Sequence, residues 1–105
     1  MAKVKLDQEE SQRQKQGYLI KELIQTEGWQ EVLLPWLEDK IRNSWVDPRS
    51  FKDDAEYAYA MKTAWAWAKA SEEILAFTEK MVEEAEALTK KEKGLLIDKL
   101  RESTL

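Results

Sequence analysis

The chain has 105 residues and a formal net charge of -4 at pH 7, with 43% hydrophobic and 36% charged residues. This balance, with only three glycines and two prolines, excludes disorder as the main state and favours long helices in a single domain over residues 1–105. The chain has no cysteine and no histidine. It therefore has neither a disulfide framework nor a thiolate metal site, and it lacks the commonest acid–base catalyst.

The sequence gives no sign of a membrane or secretory protein. No run approaches the ~20 apolar residues that a membrane-spanning helix needs. Residues 1–7 lack the apolar core of a signal peptide. We therefore expect a cytoplasmic protein.

The first predicted arm covers about residues 7–46 and is an amphipathic helix, or two. Asp7 with Glu10 forms a potential capping box. Gly28 and Pro35 both weaken a helix, so we predict a kink or short break somewhere in residues 27–35. Apolar residues recur along the arm at helical spacing, namely Leu19, Ile20, Leu23, Ile24, Leu33, Trp36, Leu37, Ile41 and Trp45.

A turn is predicted at residues 46–50, because Pro48 disfavours the helical region at Asp47 and Ser50 can cap the next helix. The second arm then covers about residues 51–88, with Asp53 completing a weak capping box. Its later half is two-faced, and we expect it to pack on one neighbour through Ile74, Phe77, Thr78, Met81, Val82, Ala85 and Leu88.

The end of the chain is predicted to form a separate short helix over about residues 90–103. Thr89 with Glu92 resembles a further capping box. The alternative is that Gly94 terminates the long helix directly. The predicted fold is thus all-α, an antiparallel hairpin of two long helices with a short C-terminal helix, in a homo-oligomeric bundle.

Aromatic side chains point several ways around the first half of the second arm. One neighbouring helix cannot cover all of them, and Trp and Tyr concentrate in interfaces. We therefore predict a self-association interface formed by Tyr57, Tyr59, Met61, Trp65, Trp67 and Ala68. Trp65 falls on the side that later becomes charged. By contrast, Trp29, Trp36 and Trp45 follow the apolar stripe of the first arm and are expected in the core.

The residue inventory argues against an enzyme. The serines have no histidine to activate them. The acidic run Glu79, Glu83, Glu84 and Glu86 has no Glu-x-x-His partner and is interpreted as a solvated face, so we expect no metal and no cofactor. The basic residues Lys3, Lys5, Arg13 and Lys15 are interrupted by acids, which makes nucleic-acid binding unfavoured.

Residues 26–33, Thr-Glu-Gly-Trp-Gln-Glu-Val-Leu, followed by Leu37 and Ile41, resemble a Glu-Gly-Trp-x-x-x-Leu segment of small helical proteins from tailed bacteriophages and prophages. Glu27, Gly28, Trp29 and Leu33 are the matching residues, while Pro35 and the tryptophan-rich segment depart from the pattern. The resemblance implies a helical fold and a phage setting, in the host cytoplasm or a virion. The resemblance also implies structural roles for two of these residues, in which Gly28 lets the helix bend and Trp29 fills the bend against the other arm.

Three functions follow as hypotheses. The first is a non-enzymatic, self-associating assembly or adaptor protein, such as a phage structural or assembly accessory subunit, whose partners are itself and another phage or host protein. The second is a small acidic regulator that binds a host or viral protein. The third is a nucleic-acid-binding accessory of packaging or replication.

Overall fold

The computed structural model describes residues 5–104, and within them all regular secondary structure is helical, with no strand. Helix α1 is Gln8–Ile24, α2 is Leu34–Arg42 and α3 is Asp54–Thr104. A π-helix, Gly28–Leu33, leads into α2, and a short 3-10 turn, Pro48–Ser50, precedes α3. The predicted all-α class is confirmed. Residues 1–4, which include Lys3 of the basic series, and residue 105 lie outside the described residues.

The capping box at the start of α1 is confirmed. The Glu10 backbone N–H donates to the Asp7 carboxylate over 2.8 Å, and the Asp7 N–H donates to the Glu10 carboxylate over 3.3 Å. These reciprocal bonds occupy donors that the first turn of a helix leaves without intrahelical partners. The helix therefore begins where the local sequence directs it.

Regular α-helix is interrupted between α1 and α2. The break begins at Gln25 and Thr26, just ahead of the predicted interval, and the backbone then forms the π-helix. The Thr26 hydroxyl accepts from the Trp29 N–H at 3.2 Å, and the Gln30 side-chain amide donates to the Ile24 carbonyl at 2.6 Å. Each bond gives a hydrogen-bond partner to a backbone group that would otherwise lose one at the break.

The turn before α3 is held by Asp47 and Arg49. The Asp47 carboxylate accepts from the Arg49 backbone N–H and from its guanidinium, with distances of 3.0–3.3 Å. These bonds from Arg49 lower the pKa of Asp47 from its ordinary value of 3.8. The extended backbone of Asp47 agrees with the restriction that Pro48 places on the residue before it.

Two predictions for α3 are wrong. Asp53, not Ser50, caps the helix, since its carboxylate accepts from the Glu56 N–H at 2.8 Å. The separate helix over residues 90–103 does not exist, because α3 runs without a break through Thr89 and Gly94. The Thr89 hydroxyl bonds the Ala85 carbonyl at 3.0 Å within the helix and also meets α1. Packing against α1 therefore outweighs the local capping signal.

The described contacts divide into two compact units. One combines residues 5–23 with 78–104, and the other is Ile24–Phe77. The two units are groups of contacts within one chain and are not separate domains by that fact. The single domain over residues 1–105 stays a prediction.

In the first unit, α1 packs along the last part of α3. Gly17 contacts Met81 and Ala85, and the Thr89 hydroxyl meets the Gln14 amide at 2.9 Å and the Tyr18 hydroxyl at 2.6 Å. Three ion pairs flank these contacts, namely Arg13–Glu84, Lys21–Glu86 and Lys91–Glu10. Earlier residues of α1 thus pair with later residues of α3 on the whole, so the chain directions are opposed within this unit.

The second unit buries Trp29 and Leu37 together with Ala68 and Ser71 of α3. The Ser71 hydroxyl is satisfied by the Trp67 carbonyl at 2.7 Å, a helix-internal bond that lets a polar residue lie in the core. None of the helices over residues 5–104 combines the length and apolar character needed to cross a lipid bilayer.

Candidate interaction surface

The inner side of α3 in the second unit holds three of the predicted interface residues. Ala68 is buried, while Tyr57 and Met61 are half-buried. The Met61 sulfur accepts from the Val46 N–H at 3.3 Å, and the Tyr57 ring lies 6.0 Å from that of Phe51. The chain itself already covers much of these side chains, so they offer less surface to a partner than the sequence suggested.

Trp67 lies at one edge of this inner side. Its ring meets that of Trp36 edge to face, with centroids 5.6 Å apart and an interplanar angle of 88°. The Lys40 ammonium lies over both rings, at 5.1 Å from Trp36 and 5.8 Å from Trp67. Edge-to-face packing and a cation over the ring face both match the charge distribution of the indole. Trp67 is thereby held in place while 49% exposed.

Trp65 lies at the opposite edge and is 59% exposed. The Lys69 ammonium lies 5.1 Å from its ring centroid. A shallow groove of about 210 Å³ borders it, lined by Ile41, Ser44, Trp65, Ala68, Lys69 and Glu72. Half of its lining residues are polar or charged and polar atoms supply most of its accessible surface, so an apolar partner would gain little by entering it.

The outward side of α3 carries a continuous exposed face, which we call the outer face. It consists of Tyr59, Thr63, Ala66, Ala70, Ile74 and Phe77, with Trp67 at its margin, and all are exposed. Their spacing of three and four residues places them on one side of the helix. Tyr59 is 75% and Phe77 56% exposed. A groove of about 370 Å³ follows part of this face, lined by Tyr59, Lys62, Thr63, Ala66, Trp67 and Ala70.

Sequence reasoning placed two outer-face residues incorrectly. Ile74 and Phe77 were expected to pack with Thr78, Ala85 and Leu88, which are buried, but both are largely exposed. The signal was present in the spacing of Tyr59, Thr63, Ala66 and Ala70, which leads to Ile74 and Phe77. The alanines hid it, because small residues at these positions do not stand out as an apolar stripe.

The three tryptophans of the first arm differ in how far they are exposed. Trp29 is buried, as expected of a core residue. Trp36 and Trp45 were expected in the core, but they are 43% and 63% exposed. Trp45 follows the end of α2, in a segment without regular structure. Leaving the helix removes it from the apolar stripe on which its assignment depended.

The residues predicted at the bend lie in or beside the π-helix. Trp29 has its backbone carbonyl bonded to the Leu34 N–H, which closes a π-helical turn. Pro35 lies in the first turn of α2, where its lack of an N–H costs least. A Cβ on Gly28 would meet no heavy atom within 4 Å. Gly28 is therefore not needed for close packing.

The acidic run of α3 is partly engaged in the first unit. Glu84 and Glu86 are paired with Arg13 and Lys21, while Glu79 and Glu83 are exposed. Among residues 5–104, no three acidic, histidine or cysteine side chains are grouped so that they could hold a metal ion. Comparison with protein-family models, with curated proteins and with solved structures gave no match.

Proposed function

We propose that this chain is a non-enzymatic assembly or adaptor protein that associates with itself through α3. The observation that carries the proposal is the outer face, an apolar and aromatic surface of one helix that is exposed from Tyr59 to Phe77. Contiguous exposed apolar surface is unfavourable in water and commonly marks an interface. The finer architecture that we propose is an antiparallel helical hairpin whose copies form a helical bundle.

We expect a few large side chains of the outer face to contribute most of the free energy of association. Burial of apolar surface stabilises a complex by roughly 25 cal/mol per Å², and aromatic side chains each bury large areas. Tyr59, Trp67 and Phe77 together would therefore supply most of the affinity, as Trp and Tyr do in interface hot spots. Because Trp36 and Lys40 hold Trp67 in place, little side-chain entropy is lost there on binding.

The basic residues supply little support for a nucleic-acid-binding function. Arg13 and Lys21 pair with glutamates of α3 and would have to leave them to contact phosphates. The phage setting rests on the resemblance carried by Glu27, Gly28, Trp29 and Leu33. Within that setting we propose a structural or assembly accessory subunit, which would work through self-association and contact with one further phage or host protein.

The test is the mass in solution, measured by light scattering across protein concentration. We expect a multimer of 12.3 kDa subunits. The double variant Y59K/F77K should give a 12.3 kDa species with unchanged far-ultraviolet circular dichroism, because both side chains are exposed and lysine suits a helix. The control E79K, on the exposed charged side of α3, should keep the wild-type mass.

Two results would contradict parts of this proposal. A wild-type monomer at every concentration would exclude self-association and would favour a different protein as the partner. If W65K lowers the mass and Y59K/F77K does not, the protein self-associates through the Trp65 side of α3, and the outer face is the wrong surface.

A further inference from the structure

We infer that two copies of this chain pair their α3 helices antiparallel through the outer face, about a two-fold axis that crosses this face between Ala66 and Ala70. This inference rests on the self-association proposed above and adds the geometry of the contact. It concerns residues of the second unit alone, from Tyr59 to Phe77, which extend over about 27 Å of helix.

The order of side chains along the outer face is nearly symmetric. A bulky aromatic lies at each end, Tyr59 and Phe77, and small alanines, Ala66 and Ala70, lie at the middle. An antiparallel pair centred between Ala66 and Ala70 sets Tyr59 of one copy against Phe77 of the other and Ala66 against Ala70. The alanines allow the two backbones to approach closely at the centre, and the aromatic rings fill the wider space at both ends.

Charge supports the antiparallel direction. Lys62 and Glu73 flank the outer face on the same side, both are exposed, and neither forms an ion pair with another described residue. In the antiparallel register Lys62 of each copy lies beside Glu73 of the other, which gives two ion pairs. In a parallel pair the two-fold axis runs along the helices and places the two charged flanks on opposite sides of the interface, so that Lys62 and Glu73 of each copy face the Trp67 flank of the other. The parallel arrangement therefore forms neither ion pair, whereas the antiparallel arrangement forms both.

The indoles lie on the other flank of the same face. Trp67 lies at the middle of the range Tyr59 to Phe77 and therefore close to the two-fold axis. Residues close to a two-fold axis lie beside their own copies, so the two Trp67 side chains come close to each other. Each indole is already fixed against its own Trp36. This flank is therefore formed by aromatic rings, while the opposite flank carries Lys62 and Glu73, and the two flanks together specify a single register.

Cysteine crosslinking tests the direction, since the natural sequence has no cysteine. The variants A66C and A70C are mixed in equal amounts and oxidised by air, and the products are identified by mass spectrometry. We expect the A66C–A70C heterodimer to form at least several-fold faster than either homodimer. A76C, on a different exposed side of α3, is the matched control and should crosslink slowly with both.

Charge reversal tests the register independently. K62E and E73K should each raise the dimer Kd by roughly three- to tenfold, and the double variant K62E/E73K should restore it. Raising the salt concentration should weaken the wild type and the double variant alike.

The outcomes separate the two proposals. Homodimeric A66C–A66C and A70C–A70C crosslinks as the main products would show a parallel pair and overturn this inference. A multimer by light scattering whose cysteine variants do not crosslink would overturn the inference and leave self-association intact. A wild-type monomer would overturn both.

Discussion

Gly17 is a point of close approach between α1 and α3. A Cβ there would collide with the Ala85 Cβ and with the Met81 backbone carbonyl oxygen. A flexible side chain could move aside, but a helix backbone cannot move without shifting its neighbours. The absence of a side chain at residue 17 is therefore a requirement of this contact.

G17A should lower the free energy of unfolding by about 1–2 kcal/mol, because the overpacking outweighs the gain of about 1 kcal/mol in helix propensity. The matched control is G94A, where a Cβ meets nothing within 4 Å and α3 is helical. G94A should instead raise stability by roughly 0.5–1 kcal/mol. Urea denaturation measures both variants. Equal stabilisation by the two would show that α1 does not approach α3 closely at Gly17.

At the scale of a helix, Asp53 determines where α3 begins. Its carboxylate accepts from the Glu56 backbone N–H at 2.8 Å, whereas Ser50 belongs to the 3-10 turn that precedes the helix. An aspartate at this position also carries a negative charge close to the positive end of the helix dipole.

D53A should therefore cost about 0.5–2 kcal/mol of stability, the usual effect of removing a cap. S50A should change stability by less than about 0.5 kcal/mol, as exposed substitutions away from such features do. Thermal unfolding followed by circular dichroism compares them. A larger loss from S50A than from D53A would place the cap where the sequence first suggested it.

The helix ends show how far local sequence signals reach. The Asp7 and Glu10 capping box was predictable, because its two bonds form within four residues and the Lys91 ammonium that also pairs with Glu10 uses the other carboxylate oxygen. The Thr89 and Glu92 pair has the same pattern and fails, because Thr89 is bonded to Gln14 and Tyr18 of α1. Those partners precede it by more than 70 residues. A sequence pattern that spans four residues contains no information about partners so distant in the chain.

The candidate surface was predictable only in outline. The aromatic richness of residues 57–67 pointed to the helix that carries the exposed outer face, and Tyr59 and Trp67 belong to that face. Which side of α3 faces outward depends on where α2 and Trp36 pack, and that is a tertiary choice. The helical periodicity alone therefore could not separate buried Ala68 from exposed Ala66 and Ala70.

At the scale of the whole molecule, self-association links stability to protein concentration. If folded copies bind each other and unfolded ones do not, mass action raises the melting temperature as concentration rises. We expect the wild type to melt several degrees lower after a hundredfold dilution, and Y59K/F77K to melt at the same temperature at both concentrations. A wild-type melting temperature that is independent of concentration would contradict a stable oligomer.

The division of contacts along the chain also sets an order of events during synthesis. The second unit is one uninterrupted stretch, Ile24–Phe77, whereas the first unit needs residues 78–104 before α1 can find its partners. N-terminal segments leave the ribosome first, and contacts distant in sequence form last. The outer face therefore emerges from the ribosome before Thr89 is available to contact α1. Nascent chains on neighbouring ribosomes of one message would then present this surface to each other before either chain is finished.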